Sequence, residues 1–570
     1  MFHATFQAFK PNAYLTRPNP FTMPVVTLYW DELERLVGVD RKTILENLPM
    51  IGCDIERVYD DHVDVEFFPN RPDLYSVEGV ARALRGFLDI ERGYRHYDVK
   101  KGDWKIYVDE SVLAVRPYIR GCVVRGLKMS DEIIRSLMEV QEDLHWTIGR
   151  NRRRMAIGVH DLSKIKFPLT YKAVDKDFSF VPLDFDREMT VEEILREHPK
   201  GKKFAFILEG KDRYPMIVDA DGDAISFPPI INAEKTRVTE KTTDIFIDVT
   251  GFDEYVDKAL NILATMLADR GGVIESVEVI YPDKTFTSPD LSPRKMDISK
   301  EEIYGLLGFK PSDEEIRIAL ERMRFGVEKI DDKIVRVLVP PYRADIMHEW
   351  DVIEDIAIGY RYDRIEPEYP KTMGIGKSHP WNDLRDVVKE IMIGLGFLEV
   401  ITFTLTNERV QYDWMGRKAE AWKDYVPLMK PLTEDHTIVR TDLLPKLLEV
   451  LAVNKHHPMP QKIFEVGDVV VGMKNRLRLA CCITHSKANF AEIRGVVQAV
   501  MRELNLDWDV EESGDQAFIE GRRADVIVKG KKVGVFGEIH PEVLEKFEIT
   551  NPVVGFELDL TEIFDCGYLL

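Results

Sequence analysis

Two widely separated stretches of this chain carry the same succession of local signals, and the fold has to accommodate both. The first runs from Trp30 to Phe87. It reads as a helix over 31–37, a turn at Gly38, a helix over 41–48 and strands around 55–58 and 63–67. Pro69-Asn70-Arg71-Pro72-Asp73 follows, then a helix with Val80, Ala81 and Leu84. The second runs from Asp297 to Tyr360. Here Ser299 with Glu302 and Ser312 with Glu315 read as capping boxes, in which a hydroxyl and a carboxyl satisfy the free amides of a helix start. Ile316, Leu320 and Met323 share one helical face, and Gly326 stands where a C-terminal cap glycine belongs. A strand over 334–339 leads to Pro341-Tyr342-Arg343-Ala344-Asp345 and a helix with Ile356 and Ala357. Leu36-Val37-Gly38-Val39 parallels Leu306-Leu307-Gly308-Phe309, and the separations from each glycine to its closing aspartate are nearly equal. Two copies of one helix–turn–helix–strand module are expected, at 23–100 and 294–370. The alternative is one architecture reached twice by chance.

Between the copies, residues 110–285 alternate strand and helix patterns. Proline, serine and threonine then mark a linker at 282–293, and 374–380 reads as a second boundary. From 376 to 570 a helix over 381–395 precedes many strands. The expected class is α+β and multidomain. Residues 1–22 are rich in Phe, Pro and Asn, carry no acid, and lack the continuous apolar core of a signal peptide. They are expected to be dispensable, as an extension from an upstream start. No apolar run approaches the ~20 residues of a membrane helix. Cys53, Cys122, Cys481, Cys482 and Cys566 form no CxxC pair, which argues against a zinc site or a disulfide framework and suits a reducing cytoplasm.

With a formal net charge of -21, the chain repels polyanions at long range, so any nucleic-acid contact must come from a local basic patch. The best candidate is Arg150, Arg152, Arg153 and Arg154; the blander reading is a solvated loop.

Pro69–Asp73 with Val77 to Ala81 resembles the N-terminal module of phenylalanyl-tRNA synthetase β subunits, and Pro340 to Ile365 resembles their second module. Leu395 to Val400, Phe464 to Val469 and Gly537-Glu538-Ile539-His540-Pro541 resemble their class II synthetase-like domain. Ile148-Gly149-Arg150 and Ala156 to Asp161 resemble the archaeal and eukaryotic form. Two domains of the bacterial subunit, an oligonucleotide-binding barrel and an anticodon-binding domain, have no counterpart. The resemblance implies the β subunit of a phenylalanine–tRNA ligase, an (αβ)₂ heterotetramer in the cytoplasm, with ATP, phenylalanine and tRNA-Phe as substrates. The synthetic site is expected on the α subunit. This chain has no arginine in Phe464-Glu465-Val466-Gly467, and Glu538 follows Gly534-Val535-Phe536-Gly537, so the phosphate-clamping arginines of an active class II core are missing.

The resemblance also implies two sites. Asp345, Asp351, Glu354 and Asp355 match the family's magnesium ligands. Asp351, Glu354 and Asp355 stand at i, i+3 and i+4 on one helical face, and dense oxygen ligands suit Mg²⁺. The bland reading is that acids at a helix start complement its dipole. Such an ion would bridge this helix to α. The second site, within 110–285, is an editing pocket for tyrosyl-tRNA. Asp248 and Thr250 alternate along a strand and so share a face; Ser226 and Asn232 would line the same pocket. No histidine is placed by the sequence as a base, so an activated water is expected. The rival reading is a tRNA-binding or assembly subunit without editing. Gly394-Leu395-Gly396 reads as a helix stop, Cys481-Cys482 as buried strand residues, and His456-His457 as a loop.

Overall fold

In the computed structural model, residues 23–370, 372, 374–417 and 424–565 are described; residues 1–22 and Cys566 lie outside that set. The chain divides into two compact units, one ending at Tyr369 and one beginning at Pro370.

Within the first unit the two similar stretches have the same element order. Strand Val25–Tyr29, helices Trp30–Val37 and Arg41–Asn47, hairpin Cys53–Val58 and His62–Phe67, and helix Val77–Phe87 make the first. Strand Arg294–Ser299, helices Lys300–Leu307 and Asp313–Arg322, hairpin Gly326–Ile330 and Ile334–Val339, and helix Glu349–Tyr360 make the second. Each three-stranded sheet is antiparallel with its last strand in the centre. Both central strands bury every second residue, the two-residue period of a strand with one face on a core. Gly38 and Gly308 close their helices at φ 89° and 77°, the left-handed region that glycine enters without a Cβ penalty.

Two local expectations change. Ser312 and Glu315 form the full capping box. Ser299 caps only one way, because Glu302 accepts from Trp350 Nε1 at 3.1 Å and Glu349 takes the Ser299 amide at 3.1 Å. Gly326 opens a strand and is not the helix cap. The left-handed residue is Arg324 (φ 67°), whose guanidinium is tied to Glu91 at 2.8 Å.

The two motif segments meet inside this unit. Arg71 forks onto Asp73 with two bonds of 2.9 Å, and Arg343 forks onto Asp345 at 2.9 and 2.6 Å. Arg343 also acts on Asp73, and Asp345 on Arg71, so equivalent charges of the two copies lie within each other's field. Arg82 stacks 3.8 Å over the Tyr342 ring and bonds Asp269 at 2.6 Å.

Between the copies stands a ten-stranded mixed sheet running from Val99 to Ser288, wider than the sequence pattern indicated. Its first strand, Val99–Val108, is placed by parallel pairing with Val273–Ile280. Helix Tyr255–Asp269 packs its apolar face on strands Tyr118–Arg125 and Ile245–Gly251.

The second unit is a seven-stranded sheet in the order Leu398–Glu399, Gln461–Val471, Lys474–Thr484, Val553–Asp559, Lys531–Ile539, Phe518–Val528, Trp508–Glu512, antiparallel except for the first pair. Helices Pro380–Gly394 and Phe490–Glu503 belong to one apolar core and Leu444–Val453 to another. Gly396 (φ 81°) follows the end of helix Pro380–Gly394, and Cys481 and Cys482 are buried in the second long strand, where burial pushes both thiols far up. No described helix is long and apolar enough to cross a membrane.

Candidate functional site

A cavity of about 380 Å³ opens beside the central sheet, with Ile134, Met138, Ile157, Val159 and Phe227 among its apolar walls. Ser226, Asn232 and Asp248 all line it. Strand pairing explains the grouping. Ser226 lies opposite Asn232 on neighbouring strands and donates to Asn232 Oδ1 at 3.1 Å, while Asn232 Nδ2 donates to the Val159 carbonyl at 3.3 Å. Thr250 shares the strand face of Asp248 but does not line the cavity. It is fully buried, and its hydroxyl and carbonyl oxygens accept from Arg116 at 3.0 and 2.8 Å.

Asp248 is 1% exposed and has a partner the sequence did not reveal. His160 Nε2 lies 2.8 Å from Asp248 Oδ2, and His160 Nδ1 lies 2.8 Å from Thr236 Oγ1. With Asp248 ionised, Nε2–H donates to the carboxylate and the Thr236 hydroxyl donates to Nδ1. Asp248 pairs with Gly158 across the strands, and His160 pairs with Phe246, so the bond is diagonal. Only glycine suits position 158, because a Cβ there would collide with Asp248 Oδ2 and His160 Nε2. A histidine is therefore placed after all. It is not placed as a base toward a bound ester, since both ring nitrogens are engaged and the ring is wholly buried. It holds one carboxylate oxygen of Asp248, Oδ2. Thr236 is 1% exposed and is no better placed as a nucleophile.

Glu142 also lines the cavity and accepts from Arg152 Nη2 at 2.5 Å and Lys200 Nζ at 2.8 Å. Burial alone would raise its carboxyl; the Arg152 guanidinium and the Lys200 ammonium outweigh that and hold it down to about 2. Burial likewise keeps His145 neutral, and its Nε2 accepts from the Ile157 amide at 2.7 Å.

The basic run does not form one patch. Arg152 is buried, Arg154 pairs with Asp253 at 2.6 Å and covers the Tyr255 ring, and Arg150 and Arg153 are exposed.

Nor are the four acids of the second module gathered around a point. Asp345 and Asp355 both bind Arg343. Burial pushes the Asp355 carboxyl up to about 6 against the pull of Arg343 and Arg71. Asp351 Oδ2 accepts from the Met347 and His348 amides, both at 2.7 Å, as a helix cap. Glu354 is exposed. The helical spacing was read correctly, but the guanidinium two residues before Asp345 takes the place of a cation. Among the described residues, Asp219, Asp221 and Asp223 do come close enough to share an ion, and there Lys235 Nζ already stands 2.7 Å from Asp219 and Asp223.

In the second unit a cavity of about 430 Å³ is lined by Arg417, Arg478, Asp442, Asp515 and Glu557. Arg417 is paired with Asp442 and Asp515 at 3.0 and 3.2 Å, and Arg478 with Asp442 and Glu557 at 2.6 and 2.9 Å. Glu465, where an active core carries its motif, is bound by Arg440 at 2.7 Å.

Three family models match the chain: the phenylalanyl tRNA synthetase beta chain CLM domain over residues 365–560, the tRNA synthetase B5 domain over 296–362, and the B3/4 domain over 133–267. The phenylalanine–tRNA ligase beta subunit of Archaeoglobus fulgidus is 72% identical over 548 residues, covering 96% of this chain and 100% of that protein. Its counterpart from Methanothrix thermoacetophila is 53% identical over 541 residues, covering 95% and 100%. A crystal structure of an N-terminal fragment of the phenylalanyl-tRNA synthetase beta subunit from Pyrococcus horikoshii is 39% identical and superposes with a TM-score of 0.58, covering 60% of this chain and 100% of that fragment.

Proposed function

This chain belongs to the phenylalanyl-tRNA synthetase β-subunit family, and from that premise we propose that its own cavity hydrolyses tyrosyl-tRNA mischarged by the ligase it helps to form. Charging itself is the work of the α subunit. Tyrosine differs from phenylalanine by one hydroxyl, and an apolar synthetic pocket rejects an added hydroxyl poorly. A second pocket that hydrogen-bonds the hydroxyl discriminates well, because phenylalanine leaves its acceptor unmet.

The observation that carries this reading is Asp248, a carboxylate set in a largely apolar cavity and held from behind by His160. In it, the tyrosyl ring lies among the apolar walls and its phenol donates to Asp248 Oδ1. Ser226 and Asn232 orient the ester or the attacking water. Thr250 acts at one remove, by fixing Arg116 against the Asp248 strand. The test is hydrolysis of tyrosyl-tRNA and phenylalanyl-tRNA by the assembled enzyme, wild type against Asp248→Ala.

The (αβ)₂ assembly, in the cytoplasm with tRNA-Phe as substrate, is part of the same proposal. Its support is the exposed apolar side chains of the second unit: Leu398, Ile401, Phe403, Met429 and Leu432 are all more than half exposed. The arginines of the cavity in that unit are already paired, which supports a domain that binds no nucleotide phosphates. The purified chain without α is expected to show no phenylalanine-dependent pyrophosphate exchange; exchange above background would contradict its silence.

The family implies Mg²⁺. The donor set Asp345, Asp351, Glu354 and Asp355 does not fit that ion as it stands, since Arg343 and the helix cap claim three of the four carboxylates. We place the ion with ATP on α and route no step through these acids. Chelation is therefore expected to leave the unfolding midpoint of the free chain unchanged. Asp351→Ala should destabilise it by about 1 kcal/mol through the lost cap. A midpoint that falls on adding EDTA would restore the metal reading.

A further inference from the structure

Arg152 is the buried cation that the proposed reaction does not yet use. It follows the helix Asp131–Trp146 in a turn where Arg150, Asn151 and Arg152 all have left-handed φ values, of 49°, 55° and 64°. Three such residues in succession, none of them glycine, are rare, and backbone held this way needs the surrounding structure to over-determine it. Backbone bonds close the turn, among them the Arg152 amide to the His145 carbonyl at 3.1 Å, and the third side chain anchors it to the cavity. Arg152 Nη1 donates to the Pro229 carbonyl at 3.1 Å and the Ile230 carbonyl at 3.0 Å, and Nη2 donates to Glu142. Its guanidinium lies 4.4 Å from the centre of the Phe204 ring, and Nε has no partner among the described residues.

These contacts have a geometric consequence. Pro229 and Ile230 sit between Ser226 and Asn232, in the segment that forms one wall of the cavity. Asp248 lines the same cavity. Arg152 and Glu142 also line a second cavity of about 430 Å³, with Trp146, Phe204, Met23 and Pro24. The Arg152–Glu142 pair thus borders both spaces, and one planar fork joins it to the Pro229 and Ile230 carbonyls. A lysine ammonium is a single point donor and does not reproduce a fork that reaches two carbonyls and a carboxylate together.

Resting on the editing reading of the cavity, we propose that Arg152 is a positioning residue for that reaction. It sets the distance between the Ser226–Asn232 wall and Asp248, and with Glu142 it closes the cavity toward the second one. It touches neither the ester nor the phenol; it acts through the carbonyls of Pro229 and Ile230.

The test uses the complete enzyme with its α subunit and measures single-turnover hydrolysis of tyrosyl-tRNA and phenylalanyl-tRNA. Arg152→Lys is expected to keep the unfolding midpoint within a few degrees yet slow tyrosyl release by about 10- to 100-fold, the scale on which a displacement of about 1 Å acts. The tyrosyl-over-phenylalanyl preference should fall with it. Arg152→Ala should be slowed further and partly restored by methylguanidinium chloride, which fits the vacated space, but not by equal sodium chloride. Asp248→Ala should show no such restoration. Wild-type rate and preference in Arg152→Lys, or a folded Arg152→Ala that methylguanidinium leaves unchanged, would overturn the proposal. So would failure of both variants to fold, since the role would then be structural. A wild-type enzyme inert toward tyrosyl-tRNA would instead remove the editing reading, and this inference with it.

Discussion

Arg343→Ala is expected to destabilise the first unit by about 3–5 kcal/mol, the range seen when one partner of a buried ion pair is removed. Arg343 lies at the meeting of the two similar modules and is nearly inaccessible. It neutralises Asp345 and Asp355, whose side chains are 9% and 4% exposed. Truncation leaves both carboxylates buried without their hydrogen-bonded cation, with only Arg71 acting on them through the field, and desolvation then dominates. Arg343→Met with Asp355→Leu should recover part of the loss, because an apolar replacement of a buried pair is often close to neutral. Calorimetry on the full chain reads this as a lowered first transition, with the transition of the second unit unmoved. An unchanged first transition in Arg343→Ala would mean that the modules are not held together by this cluster.

Asp248→Ala is expected to reduce discrimination against tyrosyl-tRNA by roughly 10- to 150-fold. A hydrogen bond to a charged group contributes about 1.5–3 kcal/mol, and about 1.4 kcal/mol is a factor of ten. The His160–Asp248 bond sharpens the expectation. His160→Phe should produce most of the same defect, since the carboxylate would lose the donor that orients it and gain an apolar neighbour. Thr236→Val should be mild, because its hydroxyl meets the far side of the imidazole and the Ala233 carbonyl and does not touch Asp248. Phenylalanine charging should survive in all three, as the synthetic site lies on another subunit. Accumulation of a covalent tyrosyl-enzyme, lost in Thr236→Val, would contradict hydrolysis by water.

Much of the architecture was legible from local signals. Gly38 and Gly308 mark helix ends because a left-handed residue without a Cβ is needed there, and the motif pair Arg71–Asp73 and Arg343–Asp345 revealed the repetition. What local signals do not carry is strand register. His160 and Asp248 are 88 residues apart, and their bond depends on Gly158 lying opposite Asp248. The only hint was the run Gly158-Val159-His160, an unusual place for a glycine in a buried strand. For the same reason Thr250 was placed on the correct face but not at the correct depth. Of the arginine run, Arg150 and Arg153 are exposed as a solvated loop would have them, but periodicity says nothing about a turn of three left-handed residues, which carries Arg152 into a buried position. For the acids of the second module, helical spacing reports shared faces but gives no sign of Arg343, which comes from the preceding loop and binds Asp345 and Asp355.

Binding of a non-hydrolysable 3′-amide of tyrosyl-adenosine to the assembled enzyme, with the synthetic site saturated by a phenylalanyl-adenylate analogue, tests the role of the cavity most directly. Calorimetry should show the tyrosyl amide binding about 10- to 150-fold more tightly than the phenylalanyl amide, the difference made by one charge-assisted bond. The preference should vanish in Asp248→Ala. Equal binding of the two amides to the wild-type enzyme, or a tyrosyl preference that survives Asp248→Ala, would contradict it.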